Sequence, residues 1–290
     1  MQQHFCAHLH NFAALQPSSL TAETEFMRKY LILAFFTFCL LPASAQKKSH
    51  WLTGMYLQWG YNTEWYTKSN IHFNSTVNGV PHNFTMRGVK AHDRNDLDGI
   101  VKKPLAVTVP QYNYRIGFYL NAKHSRAIEF NFDHTKYIIY NNQKVKAKGY
   151  IGNDHFDKDT SFTHDQVAFE HTNGANFYHI NYVQQHTLLS NKTRPVLTAV
   201  WKAGAGFLIP KTDVTLSGKR LDNKFHLAGY CFGAEGGGRW YFAKRIFIEG
   251  TAKAGFANYT NSLALDNNGR INHSFGYFEL IGTLGYDIRF

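Results

Sequence analysis

The sequence predicts an all-β fold: an eight-stranded antiparallel transmembrane β-barrel with long extracellular loops. Three observations predict it. Apolar and polar side chains alternate with a period of two in one segment after another, aromatic residues gather at the segment ends, and the connections alternate short and long.

Composition narrows the choice before any segment is read. The chain has 290 residues, 16% of them aromatic, and 23 glycines. Its mean hydropathy is -0.36, and no run of about 18 apolar residues occurs in the body of the chain, which excludes a helical membrane protein. A half-buried sheet remains, as a soluble sandwich or as a membrane barrel. Segments of about 12 to 16 residues exceed both the globular mode and the 9 to 11 residues of a tilted membrane strand, which favours the barrel.

Residues 27–45 read as a secretory signal. Arg28 and Lys29 precede an apolar run from Tyr30 to Leu41, and Ala43, Ser44 and Ala45 form a small-residue cleavage site. Residues 1–26 carry no targeting logic and are expected to lie outside the native product, leaving 46–290 as the barrel domain. Cys39 lacks the small residues that a lipoprotein signal places before its cysteine. Only Cys231 survives processing, so no intrachain disulfide forms.

The strands follow in order. Residues 51–65 set Gln58, Asn62 and Glu64 on one parity and end in Trp51, Trp59, Tyr61 and Trp65. Residues 110–120 carry Tyr112 and Tyr114 beside Arg115. In 126–140, Ile128, Phe130 and Phe132 alternate with Glu129, Asn131 and Asp133. Residues 176–188 hold Asn181, and 196–209 hold Lys202 with Gly204 and Gly206. Residues 225–242 place Glu235 and Arg239 against Trp240 and Phe242. In 245–257, Ile246, Ile248, Ala252 and Phe256 oppose Glu249, Thr251 and Lys253. In 274–290, Phe278, Leu280, Leu284, Tyr286, Ile288 and Phe290 oppose Glu279, Thr283, Asp287 and Arg289. Short connections at 121–125, 189–195 and 243–244 alternate with long ones at 66–109, 141–175, 210–224 and 258–273. That alternation puts both termini on the periplasmic side of the outer membrane. The stretch "NFTMRGVKAHDR" is also strand-like; it is read as a hairpin arm of the first long loop, and a ten-stranded barrel is the alternative if it spans.

The chain ends "GTLGYDIRF", with Tyr286, Ile288 and Phe290 on one face. This ending resembles the C-terminal recognition strand of outer-membrane barrels. With the signal and the long spans, the region 46–290 is similar to small barrels of the OmpA/OmpX/OmpW type and to Bacteroidota outer-membrane barrel proteins. The resemblance implies that Phe290 faces lipid and helps the barrel assembly machinery recognise the last strand. It implies a class and an assembly route, not an activity.

Eight strands enclose room for little beyond side chains. Parity sends Arg115, Glu129, Asp133, Lys202, Glu235, Arg239, Glu249, Lys253 and Glu279 inward. Mixed signs at many levels predict a salt-bridge network that plugs the lumen rather than an ion path, because confined charges need partners. Gly204, Gly206, Gly236, Gly237 and Gly238 are expected to leave room for the longer partners.

The chain has 16 histidines, many on the long loops: His72, His82, His92, His155, His164, His171 and His273. None has the spacing of a metal set, so no metal and no cofactor is expected. Outer-membrane lipid A deacylases carry an H-x-S-N type motif with a nearby glutamate. "EHTNGANF" is similar around His171 but has Asn173 at the nucleophile's place, and "NHSFGYFE" offers His273, Ser274 and Glu279 with His and Ser on opposite faces. His171 and His273 are therefore weak catalytic candidates. The primary expectation is a monomeric envelope or surface protein that binds through its loops; a lipid A-modifying enzyme, or apolar ligand transport through the barrel, is the alternative. A formal charge of +11 and basic loops (Lys144, Lys146, Lys148, Lys158, Lys211, Lys219, Lys224) suit lipopolysaccharide phosphates, and nucleic acid is not expected as a partner in this compartment.

Overall fold

The computed structural model describes residues 52–95, 102, 111–171, 173–192, 194–266 and 268–290; the expected segments 1–26 and 27–45, and Trp51, lie outside the described residues. The strands, in chain order, are β1 (Gly54–Tyr66), β2 (Ser69–Val77), β3 (Val80–Val89), β4 (Ala91–His92), β5 (Tyr112–Tyr119), β6 (Arg126–Asp133), β7 (Tyr137–Ile139), β8 (Lys144–Ile151), β9 (Asp154–Ser161), β10 (Val167–His171), β11 (Phe177–Ser190), β12 (Pro195–Leu208), β13 (Lys211–Leu216), β14 (Lys219–Phe225), β15 (Gly229–Tyr241), β16 (Ile246–Leu263) and β17 (Arg270–Arg289). Among the described residues no helix is long and apolar enough to cross a membrane, which says nothing about strands.

Eight of these strands form the barrel. β1, β5, β6, β11, β12, β15, β16 and β17 pair antiparallel in that order, and β17 returns to β1 to close the ring. The seam is long, from Gly54 opposite Arg289 to Tyr66 opposite Tyr277. Closure leaves no free strand edge in the wall, the condition for a sheet that spans lipid. The alternation seen in the sequence becomes a two-sided wall. Ile116, Phe130, Ile180, Trp201, Phe232, Leu280 and Leu284 are exposed, while Glu129, Lys202, Arg239 and Glu279 are buried. The aromatics Trp65, Tyr114, Trp240 and Phe242 are exposed towards the ends of that apolar belt.

Three aromatic rings lie across glycines on the neighbouring strand, and these pairs seat the lumen side chains. Tyr56 covers its register partner Gly117, Phe247 covers Gly285, and Tyr277 covers Gly255, each at a place a Cβ would occupy. Gly117→Val should therefore cost about 1–3 kcal/mol by displacing the Tyr56 ring. Gly282→Val should cost little, because nothing lies within 4 Å of a Cβ built there. The urea midpoints of the two variants check the contrast. Of the glycines expected to make room inside, Gly204 and Gly206 share the parity of Lys202. Gly236 and Gly238 instead share the outward parity of Trp240, because Arg239 and Glu235 take the inward positions.

The long connections depart most from the solvated loops the sequence suggested. The stretch read as a hairpin arm is β3, paired with β2, and β2 extends the barrel sheet from the Arg270 end of β17. β8 and β9 add to β3 in turn. A second sheet, ordered β14-β13-β10-β7-β4, draws on three different connections. The expected loop 258–273 is mostly strand, since β16 and β17 remain paired out to Leu263 and Arg270. Likewise the segment 126–140 divides: β6 ends at Asp133, and β7 joins the second sheet. Together these elements make a folded crown above the barrel, with Phe73, Phe84, Tyr137, Phe169, Val214 and Leu216 in its apolar core. Alternation was visible in these stretches, but their partners lie far away in sequence, and a lone alternating segment does not say which sheet it joins.

Candidate functional site

The lumen is crossed by one connected lattice of ion pairs. Arg115 on β5 reaches Glu235 on β15 at 2.6 Å and lies 3.6 Å from Glu129, 3.9 Å from Asp133 and 3.9 Å from Glu249. The Lys202 ammonium on β12 sits among Glu249 at 2.7 Å, Glu129 at 3.0 Å and Glu235 at 3.3 Å. Arg239 holds Glu249 through Nε at 2.8 Å and through its terminal nitrogen at 2.7 Å. Higher up, Lys253 pairs with Asp133 at 2.6 Å and lies 3.6 Å from Glu279. These contacts join β5, β6, β12, β15, β16 and β17, so opposite walls are tied together by charge. Every charged group in the lattice is buried, where an unpaired charge is costly and a paired, hydrogen-bonded one is tolerated.

Two further acids accompany the set. Glu64 stands directly opposite Glu279 in the β1–β17 register, and Asp287 accepts a hydrogen bond from the Tyr119 hydroxyl at 2.8 Å. With them the acids outnumber the four bases of the lattice, and Asp287 is buried on the parity it shares with Glu279 along β17.

Below the lattice lies a floor of aromatic and aliphatic side chains, Tyr56, Tyr119, Ala127, Val183, Val200, Tyr241 and Phe247. The Tyr56 hydroxyl donates to Glu129 at 2.7 Å, which connects floor and lattice. Arg239 lies against two floor rings, 4.0 Å from the Phe247 centroid and 4.5 Å from that of Tyr56. Above the lattice, inward residues at the strand tops (Phe177, Leu208, Cys231, Phe275, Tyr277) join the apolar core of the crown. The charged layer is thus capped on both sides by apolar packing. Inward parity at Tyr56 and Tyr119 was available in the sequence; the roof was not, because it is built by the crown.

His171 on β10 and His273 on β17 meet, with their Nε2 atoms 3.1 Å apart. They are boxed by Tyr137, Phe169, Tyr259 and Phe275, and His171 Nδ1 lies 3.3 Å from the Thr212 hydroxyl. Burial holds His171 down at about 3 and His273 well below the ordinary imidazole value, the latter helped by its neighbour His171. Both rings are buried, so the pair joins crown to barrel inside an apolar core rather than facing a substrate. His82 is also buried, against the expectation of solvated loop histidines. Asp93, beside His92, faces away from that ring and accepts from the Glu64 amide at 2.9 Å and the Gln111 amide at 2.5 Å. Among the described residues no three His, Cys, Asp or Glu side chains gather as a metal set.

The lipid-facing wall has a groove of about 490 Å³, lined by Gly236, Gly237, Gly250, Thr251, Ala252, Leu280, Ile281 and Gly282. β15, β16 and β17 stay in register beneath it, Gly236 opposite Ala252 and Ala252 opposite Leu280. The groove is a dent formed by small outward residues over a continuous ladder. On the last strand Tyr286 and Phe290 are exposed and Ile288 is half-buried. On the crown, Lys144, Lys146, Lys148, Lys158, Lys219 and Lys224 are exposed. Lys146 and Lys148 flank Asp157 at 3.6 and 3.2 Å, and Lys211 is bound to Asp222 at 2.6 Å.

No family model and no curated protein matches the sequence. Among solved structures, the outer membrane protein OprG from Pseudomonas aeruginosa is 10% identical with a TM-score of 0.40, over 83% of this chain and 98% of that one. Neisserial surface protein A is 11% identical with a TM-score of 0.34, over 81% of this chain and 97% of that one. Ail, the attachment invasion locus protein of Yersinia pestis, is 9% identical with a TM-score of 0.32, over 81% of this chain and 100% of that one. The protein is an eight-stranded antiparallel barrel, similar to these small outer-membrane β-barrel proteins.

Proposed function

We propose that this protein is a non-conducting barrel of the outer membrane, with both termini periplasmic, that carries a folded crown as a binding surface on the cell exterior. The observation that carries the reading is the lumen lattice. Arg115, Lys202, Arg239 and Lys253 bridge opposite walls at distances down to 2.6 Å between an aromatic floor and an apolar roof, which leaves little for a diffusing solute to follow. What faces outward is then the part able to act, and two of its exposed strands, β8 and β14, are basic. Lipopolysaccharide phosphates are the partner class that fits those ammonium groups in this compartment. The assembly machinery is the partner for the last strand, and the protein acts as a monomer.

In planar bilayers the purified barrel should show negligible steady conductance at 100 mV. Steady open channels in the unmodified protein would refute the reading. For the crown, changing Lys144, Lys146 and Lys148 together to Glu should weaken association with lipopolysaccharide-containing vesicles at low salt, with the difference shrinking as salt screens the charges. Equal association at every salt concentration would remove these lysines from the proposed surface.

A further inference from the structure

The tip of the crown holds a serine–histidine contact that neither the lumen nor the barrel wall requires. His82 on β3 places Nε2 2.8 Å from the Ser217 hydroxyl and Nδ1 2.9 Å from the Val80 carbonyl oxygen. A carbonyl only accepts, so Nδ1 carries the ring proton; Nε2 then offers a lone pair, and the serine O–H donates into it. This is the tautomer and polarity of a nucleophile with its base, with the Val80 carbonyl as the group that orients the ring.

The two partners are exposed differently. The His82 ring is buried, which fixes it, whereas Ser217 is exposed. Ser217 and Gly218 form the two-residue turn between β13 and β14, and both lie in the left-handed region, at φ 51° and 80°. The Ser217 amide donates to the Gln166 carbonyl at 3.0 Å and the Gly218 amide to the Asp165 carbonyl at 2.7 Å. The turn that presents the hydroxyl is therefore pinned on both sides.

Its place in the fold selects the substrate class. His82 pairs with Ser75 on β2, Asn70 on the same strand pairs with Ser274 on β17, and Phe278 of the apolar belt follows four residues later. At about 3.3 Å per residue, the pair stands roughly 30 Å along the strands from the belt. Acyl chains buried in a bilayer do not reach it, whereas small solutes do.

We propose that Ser217 and His82 form a nucleophile–base pair that accepts an acyl group from small water-soluble esters. Ser217 Oγ attacks the ester carbonyl carbon while His82 Nε2 takes the hydroxyl proton. The tetrahedral adduct collapses, the C–O bond to the alcohol breaks, and the leaving alkoxide takes the proton from Nε2. An acyl-serine and a free alcohol result. Water, deprotonated by Nε2, then attacks the acyl carbon, and Nε2 returns a proton to Oγ as the acid departs. The Ser217 and Gly218 amides are already committed to backbone carbonyls, so neither is free to hold the oxyanion. Acylation and hydrolysis both pass through an oxyanion and are accordingly both slow, so the pair shows itself best with a probe that stays attached to the serine.

A fluorophosphonate probe tests this on the folded, detergent-held protein. Oγ attacks phosphorus, fluoride leaves, and His82 takes the proton. Intact mass should rise by one phosphonyl group, peptide mapping should place it on Ser217, and Ser217→Ala should abolish it. His82→Gln should label at least 10-fold more slowly, and Ser75→Ala should label as the unmodified protein does. The urea-unfolded wild-type chain, which has the serine without its base, should match the slow rate of His82→Gln and serves if that variant does not fold. No mass increase, a label on another residue, or equal Ser217 labelling rates in folded and unfolded protein would overturn the proposal.

Discussion

Arg239→Ala is expected to lower the temperature at which the folded barrel's gel band shifts, by far more than any surface change of the same charge. The guanidinium is fully buried, donates from Nε to Glu249 at 2.8 Å with a terminal nitrogen 2.7 Å from the same carboxylate, and lies over Tyr56 and Phe247. Its loss leaves Glu249 held by Lys202 at 2.7 Å, with Arg115 3.9 Å away, and opens a gap between two rings. Removing one partner of a buried pair costs about 3–5 kcal/mol, less if water fills the gap. Lys219→Ala on exposed β14 should cost at most about 1 kcal/mol. The double change of Arg239 to Met and Glu249 to Leu should recover part of the loss, since replacing both charges by apolar groups of similar volume removes the desolvation cost as well. Equal thermal shifts for Arg239→Ala and Lys219→Ala would show that the lattice contributes no more than surface charge does.

The second large effect is acid opening of the crown while the barrel stays closed. An unfolded imidazole titrates near 6.5, whereas burial holds His171 at about 3 and keeps His273 well below its ordinary value. A base whose pKa is depressed by folding stabilises the fold fully above pH 6.5, and that contribution is lost as pH falls towards the folded value. His171 loses about 1.4 kcal/mol per pH unit through that window, roughly 3 kcal/mol by pH 4.5, and His273 acts in the same direction. Once both rings are protonated, two Nε2–H donors face each other across the 3.1 Å contact with no lone pair between them. Limited proteolysis should cut the crown strands faster at pH 4.5 than at pH 7, with the heat-modifiable barrel band retained at both. Changing both histidines to leucine should flatten this dependence, because neither partner is then left unpaired. Crown cleavage that is independent of pH in the unmodified protein would sink the assignment.

What was legible in the sequence follows from where the information lies. A barrel strand alternates because one face meets lipid and the other the lumen, so Phe278 and Glu279, or Phe130 and Glu129, announce the wall locally. The eight spans and their order could be read from that alternation with the lengths of the connections, and the ring β1-β5-β6-β11-β12-β15-β16-β17 matches them. Inward positions such as Lys202 and Arg239 followed from parity, but their partners did not. Lys202 binding three acids at once depends on the barrel's narrowness, which no single strand encodes. The crown was hidden for a related reason. Phe73 meets Phe169 and His82 meets Ser217 across distant connections, and nothing local in "VPHNF" or "TLSGKR" names the other. The meeting of His171 and His273 was missed because each was weighed against neighbours in the chain rather than across the fold.

The second sheet of the crown has a consequence for how the protein reaches its final state. β4 pairs with β7, β7 with β10, and β10 with β13, so the sheet needs segments from the first, second and third long connections side by side. No hairpin can complete it alone, and these pairings carry a high loop-closure cost that is met only when all the pieces are present. The sheet thus forms after the connections have crossed to one side of the bilayer. Once formed, it is a knob too wide to retreat through an eight-stranded ring. Withdrawal from the membrane then requires the crown to melt as well as the barrel to open, so a folded water-exposed part adds its own unfolding barrier to the lifetime of the inserted protein.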